Sequence, residues 1–241
     1  MPEVSKAVLS DLAPSGKLRV GINFGNALLT RRDPGPGGIA VDLAGELAKR
    51  LGVPLEIVSF ESAGGLADSA SKNAWEVGFL GAEPQRANEI SFTAPYVEIE
   101  STYVVPMDSP LKNVADVDRP GVRIAISAKS AYDLYLSRTL KHATLVRCQG
   151  SPAALKLFVS DKLDALAGLK PLLIGDVEKT PGTRLMDGRF SVVQQAVGTP
   201  KGHDAGAKYL CEFVEDVKAT GLVARVMEKN GIRGVSVAPK A

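Results

Sequence analysis

Cysteine and histidine are scarce in this sequence, and each shortage removes a class of function. Two cysteines, Cys148 and Cys211, cannot make the disulfide framework that holds small secreted domains together. Both read as free, buried, small apolar residues. A bridge between them would need a proximity that spacing does not show. The two histidines, His142 and His203, have no cysteine, histidine or glutamate at ligand spacing, which argues against a metal site. His142, beside Lys141 at an expected helix end, is explained by the helix dipole. Aromatic residues make up only 5% of the chain, and the formal net charge is +2. With no arginine–aromatic cluster, nothing argues for nucleic acid. No apolar run approaches the length of a membrane span. There is no Gly-x-Ser-x-Gly elbow, no His-Glu-x-x-His and no convincing dinucleotide fingerprint. The Gly- and Pro-rich loop at Asp33–Gly38 lacks the Gly-Lys-Ser/Thr ending of a phosphate loop. These absences lower the case for an enzyme and imply no cofactor. The N-terminus, MPEVSKAVLSDLAPSGKL, also lacks the long apolar core of a secretory signal. Either a signal was removed and Met1 added, or the protein is not exported.

What is present is ordinary and sufficient. Apolar residues at 45% and charged residues at 23% suit a globular protein. The 241 residues make one large domain or two small ones, either with a real core. Strands are expected at Leu18–Ile22, Leu55–Ser59 and Val77–Leu80, alternating with helices at Val41–Leu51 and Leu66–Lys72. That order is a parallel α/β unit. A second run follows: strand Val122–Ile126, helix Ser130–Leu140, strand Thr144–Cys148, helix Ala153–Ser160 and strand Leu163–Ala167. Two amphipathic helices, around Leu210–Val217 and Leu222–Val226, close the chain, and the tail after Asn230 reads as loosely ordered.

The stretch from Trp75 to Tyr96, WEVGFLGAEPQRANEISFTAPY, organises the rest. A buried strand stops at Gly81-Ala82-Glu83-Pro84, and Arg86 follows just past its carboxyl end. Open α/β sheets bind ligands there, and a guanidinium fork suits a carboxylate or phosphate. From spacing alone a surface arginine is the better reading of Arg86. The pattern of acid, apolar strand, small residues, Arg and Ile-x-Phe-Thr-x-Pro-Tyr resembles the signature of the family 3 extracellular solute-binding proteins, the polar amino acid receptors of bacterial ABC importers. Lys17–Gly21, Gly38–Leu43 with Leu51-Gly52, and Gly121–Ile126 with Ser130 resemble three further family segments in order. The resemblance covers roughly Lys17 to Asn230.

The resemblance implies an α/β, two-lobed periplasmic binding protein type II fold with two hinge crossings. Residues 1–104 and 196–241 would form lobe 1, and residues 105–195 lobe 2. It implies a non-enzymatic, monomeric, periplasmic protein that takes a small molecule between its lobes and delivers it to an ABC permease. In lobe 1 the ligand-binding residues would be Arg86 and Gly81, with Asn23 and Phe24 in the turn after the first strand. Turn chemistry alone also explains Asn23. In lobe 2 they would be Lys129, Ser130, Ala131 and Leu169. Ser130 is equally well an ordinary N-cap.

The departures from the family pattern are informative. Leu80-Gly81-Ala82 replaces the hydroxyl residues before the arginine, and Lys129 replaces a glycine. Where an acid would hold a ligand's ammonium, Leu169 and Lys170 stand. An ammonium buried without a carboxylate is costly, so the ligand class tilts from an α-amino acid toward a carboxylate or dicarboxylate. Asp164, Asp176, Glu61, Glu83 and Gln195 remain alternatives for the ammonium. Two other classes compete: a cytoplasmic sensor or orphan binding module, and a cyclohexadienyl dehydratase-like enzyme with Lys170 as its base.

Overall fold

The computed structural model describes residues 4–241; the reading that turned on Met1 lies outside them. Ser5 caps α1 (Lys6–Leu12) by accepting the Val8 N–H at 3.3 Å. Then come β1 (Leu18–Asn23), α2 (Ile39–Leu51) and β2 (Leu55–Phe60). Gly52 ends α2 in the left-handed conformation, φ 70°, as a glycine after a helix commonly does. Next are α3 (Ala63–Asp68), β3 (Val77–Gly81), a 3-10 turn at Arg86–Asn88 and the long β4 (Ile90–Pro106). The second alternation is β5 (Arg123–Ser127), α4 (Ala131–Thr139), β6 (Thr144–Cys148), α5 (Ser151–Ser160), β7 (Ala165–Leu169) and α6 (Lys170–Lys179). The chain ends with β8 (Thr183–Leu185), β9 (Ser191–Pro200), α7 (Asp204–Ala219), α8 (Leu222–Lys229) and β10 (Ser236–Val237).

These elements divide into two compact units. Unit 1 takes residues up to Glu98 and those from Gln194 on, and unit 2 is Ile99–Val193. The chain crosses between them within β4 and again within β9. In unit 1, β1 lies between β2 and β3, both parallel to it, and β9 runs antiparallel to β3. Trp75 is the largest buried side chain of this sheet's helical cover. Its indole N–H donates to Ser69 Oγ at 2.8 Å. A Cβ on Gly21 or Gly78 would come within 3.1 or 3.2 Å of the indole, so the small residues in β1 and β3 leave room for the ring.

In unit 2, β5 lies between β6 and β7, both parallel to it, and the second half of β4 closes the sheet antiparallel to β7. Val104, Ala125, Phe158, Leu163, Leu166 and Leu173 pack as its core. Pro152 and Pro171 sit in the first turns of α5 and α6, where a missing N–H costs nothing.

Several expectations need correction. The strand expected at Leu163–Ala167 runs two residues later, to Leu169, and Lys170 opens a helix that the sequence reading did not find. The tail is not loose throughout: Ser236–Val237 pairs with Val97–Glu98. Cys148 is half-buried and Cys211 is exposed on α7; both are free thiols. His142 follows a helix that ends at Thr139, and its N–H, with those of Lys141 and Ala143, donates to Asp118. Burial pushes the Asp118 pKa up, but the three amides outweigh it and hold it below the usual carboxylate range. The dipole explanation for His142 therefore gives way to a loop closed on a carboxylate. No helix among the described residues is long and apolar enough to cross a membrane.

Candidate functional site

The parallel strands of unit 1 end in step. Asn23 pairs with Phe60, and Ile22 with Phe79. Their carboxyl ends therefore deliver the Phe24–Arg32 loop, Glu61 and the Gly81–Arg86 turn to one edge of the sheet. Arg86 is buried, 6% exposed, and its guanidinium donates to the Gly81 carbonyl at 2.7 Å. Burial pulls its pKa down to about 10, while Glu83 and Asp68 act to hold the charge. A buried cation at this edge is expensive, which is more than a surface arginine requires. Gly81 thus supports the arginine through its carbonyl, and Gln195 pairs with Gly81 on the adjacent β9.

Asn23 behaves as a turn residue. Its side-chain oxygen accepts the Gly25 N–H at 3.0 Å, and its carbonyl accepts the Thr30 hydroxyl at 3.1 Å. Phe24 is 9% exposed, with the Arg32 guanidinium 4.5 Å above the ring centroid. Arg32 in turn pairs with Glu61.

In unit 2 the corresponding edge carries Lys129, Ser130, Gly150, Ser151 and Lys170, beyond the ends of β5, β6 and β7. Ser130 is the N-cap of α4: its hydroxyl accepts the Asp133 N–H at 3.1 Å. The N–H groups of Ala131 and Tyr132 lie in the first helical turn, beyond any intrahelical carbonyl. Lys129 adopts a left-handed conformation, φ 55°. Its N–H is held by Asp133 Oδ2 at 2.7 Å, and the buried Asp133 also accepts from Arg147 Nε at 3.0 Å. The sequence offers Tyr132 for its first-turn N–H and not for its side chain. Its hydroxyl lies 3.3 Å from Ser151 Oγ. Burial pushes its pKa up, with the hydroxyls of Ser151, Ser130 and Ser127 opposing. The signal available was its place in the first turn after Ser130.

Leu169 is the buried last residue of β7. Lys170 is ion-paired to Glu100 at 2.7 Å, and Glu100 also takes Arg189 at 2.8 Å. Of the alternative acids, Asp164 sits at the amino end of β7. It accepts the Arg123 N–H at 2.8 Å, at the opposite edge of the sheet from Lys170. Asp176 lies two turns into α6, and burial pushes its pKa up. Arg32 was not singled out by the sequence; it immediately precedes the Gly- and Pro-rich loop at Asp33–Gly38.

A protein-family comparison matches residues 18–231 to the bacterial extracellular solute-binding proteins, family 3. No curated protein matches the chain. Among solved structures, the chain is similar to an amino acid ABC transporter substrate-binding protein, AbpA, from Streptococcus pneumoniae, bound to L-arginine. The TM-score is 0.75 and the identity 20%, over 90% of this chain and 95% of that one. It is similar to a cysteine-binding protein from Campylobacter jejuni, with TM-score 0.77 and 18% identity over 92% and 91% of the two chains. It is also similar to the ancestral amino acid-binding protein AncCDT-1, a precursor of cyclohexadienyl dehydratase. There the TM-score is 0.76 and the identity 22%, over 92% and 98%. At these identities the likeness establishes the fold, that of the type II periplasmic binding proteins.

Proposed function

The chain belongs to the bacterial extracellular solute-binding proteins, family 3, and from that premise we propose that it captures a small carboxylate or amino-acid-like solute for an ABC-type importer. The observation that carries this is Arg86: a guanidinium buried just past the carboxyl end of β3, where an open α/β sheet receives ligands. Its charge-assisted fork would hold the solute's carboxylate. Gly81 would fix the arginine, and Phe24 would line the site beneath Arg32. From unit 2 the Ser130 hydroxyl, the Lys129 charge and the first-turn N–H of Ala131 would add contacts, and Leu169 an apolar one. The protein would act as a monomer outside the cytoplasm, its two units, divided at Glu98–Ile99 and Val193–Gln194, moving as lobes about the two crossings. Ligand binding would favour the closed arrangement by contacting both lobes. A permease would then receive the loaded form.

No chemistry on the solute is required. The solved neighbour that is a dehydratase precursor keeps an enzymatic reading in view, and Lys170 would be its base. Against this, Lys170 is engaged by Glu100.

A thermal-shift screen of the purified protein tests the reading. The classes are amino acids, dicarboxylates, polyamines and aromatic acids. A ligand that binds only the folded state raises the melting temperature once it exceeds its dissociation constant. A shift with a carboxylate that Arg86→Ala abolishes is expected. Shifts confined to polyamines, or a carboxylate shift unchanged in Arg86→Ala, would contradict it.

A further inference from the structure

The face of Phe24 is already occupied. Phe24 follows β1 directly, and the guanidinium carbon of Arg32 lies 4.5 Å from its ring centroid. A guanidinium stacked by its face keeps its N–H edges available to an anion in its plane. At present one edge is taken by Glu61, the first residue after β2. The Arg32 side chain is 50% exposed and that of Glu61 83%, and an exposed pair of this kind is weakly held. The two loops are pressed together: a Cβ on Gly25 would stand 2.2 Å from the Glu61 carbonyl oxygen. Arg32 thus keeps the ring beneath it when the Glu61 pair opens.

The carboxylates of these edges face cations of the protein's own. Glu61 serves Arg32, and Glu83 acts on Arg86. In unit 2, Glu100 holds both Lys170 and Arg189. A ligand ammonium would have to break one of these pairs, and a cationic side chain would meet a guanidinium where it sought an aromatic face. A second anionic group meets the opposite situation. It can take the Arg32 edge by displacing Glu61, an exposed residue that returns to water at little cost.

Resting on the solute-binding reading above, we infer that the ligand is a small dicarboxylate without an ammonium group. Arg86 receives one carboxylate and Arg32 the other, with Glu61 as the placeholder that Arg32 releases on binding. This sets the chain apart from the solved neighbour bound to L-arginine.

Isothermal titration of the full chain with glutarate, succinate, butyrate, L-glutamate and L-arginine tests this, with Arg32→Gln and Glu61→Gln beside the wild type. Glutarate or succinate is expected to bind at least tenfold tighter than butyrate. Arg32→Gln should reduce the dicarboxylate to the butyrate level, with an unchanged urea midpoint showing that the exposed substitution leaves the fold intact. Glu61→Gln should tighten dicarboxylate binding severalfold, because no placeholder has to leave. Equal affinity for glutarate and butyrate, no effect of Arg32→Gln, or tightest binding of L-glutamate or L-arginine would overturn the inference. The last two results, if binding still required Arg86, would leave the solute-binding reading standing. Failure of every probe, zwitterions and cations included, would overturn that reading and the inference together.

Discussion

Arg86 shows how a single residue can carry both a cost and a purpose. Its guanidinium is buried against Gly81, and burial outweighs the opposing pull of Glu83 and Asp68 and brings its pKa down to about 10, so at neutral pH the charge remains. Arg86→Lys keeps a charge but loses the planar fork. It should weaken carboxylate binding about tenfold or more, the loss of a charge-assisted hydrogen bond of ~1.5–3 kcal/mol, read as a change in the dissociation constant. Lys129 is the other tense residue, held at φ 55° by Asp133. Lys129→Gly should relieve about 1 kcal/mol of left-handed strain and raise the melting temperature by about 2–4 °C, while removing a cation and so weakening anion binding. Opposite signs in stability and affinity are the check. Glu100 gives the pH dependence. Its hydrogen bond to Lys170, aided by Arg189 against desolvation, lowers its pKa. Its contribution is thus present above the ordinary glutamate value of about 4.3 and is lost as pH falls through the lowered value. Because the partners are about one-third exposed or more, the effect stays below ~1 kcal/mol. Urea midpoints from pH 6 to pH 3 should fall slightly more steeply for the wild type than for Glu100→Gln. At this scale, the sequence displayed Arg86 by its place after an apolar strand. It could not display Arg32, whose meaning depends on Phe24 and Glu61 meeting in space. Asp42 is similar: its carboxylate accepts from Lys229 and Asn230, partners far along the chain.

The elements were legible where the pattern was local. β6 is found at its expected span, and α2 ends at Leu51 before Gly52 as the glycine and Pro54 implied. β7 was misplaced because Leu163 through Leu169 is an almost continuous apolar run, and such a run does not mark its own ends. α6 carries Pro171 in its first turn, where proline is tolerated, and Gly175 in its interior, which gives it a weak helical signature in the sequence. Gly38 marks the element whose start is most constrained. It caps α2 at φ 103°, and a Cβ there would stand 2.3 Å from the Leu29 carbonyl oxygen. Gly38→Ala should cost about 2–4 kcal/mol, seen as a lower urea midpoint, whereas Gly16→Ala, at φ 77° with open space around it, should cost about 1 kcal/mol.

For the molecule as a whole, two α/β alternations were readable from the order of strands and helices, and the two crossings came from the family resemblance. The ligand was not, because its recognition depends on side chains brought to a sheet edge from loops after different strands. The family sets the architecture. The central claim is that Arg86 grips the carboxylate of a captured solute. Its Nε–H can be followed directly by 15N nuclear magnetic resonance, with Arg86→Lys assigning the signal, while glutarate is titrated into the wild-type protein. The account predicts that the Arg86 Nε resonance moves in proportion to saturation. Saturable binding of glutarate with that resonance unmoved would place the carboxylate elsewhere and contradict the claim.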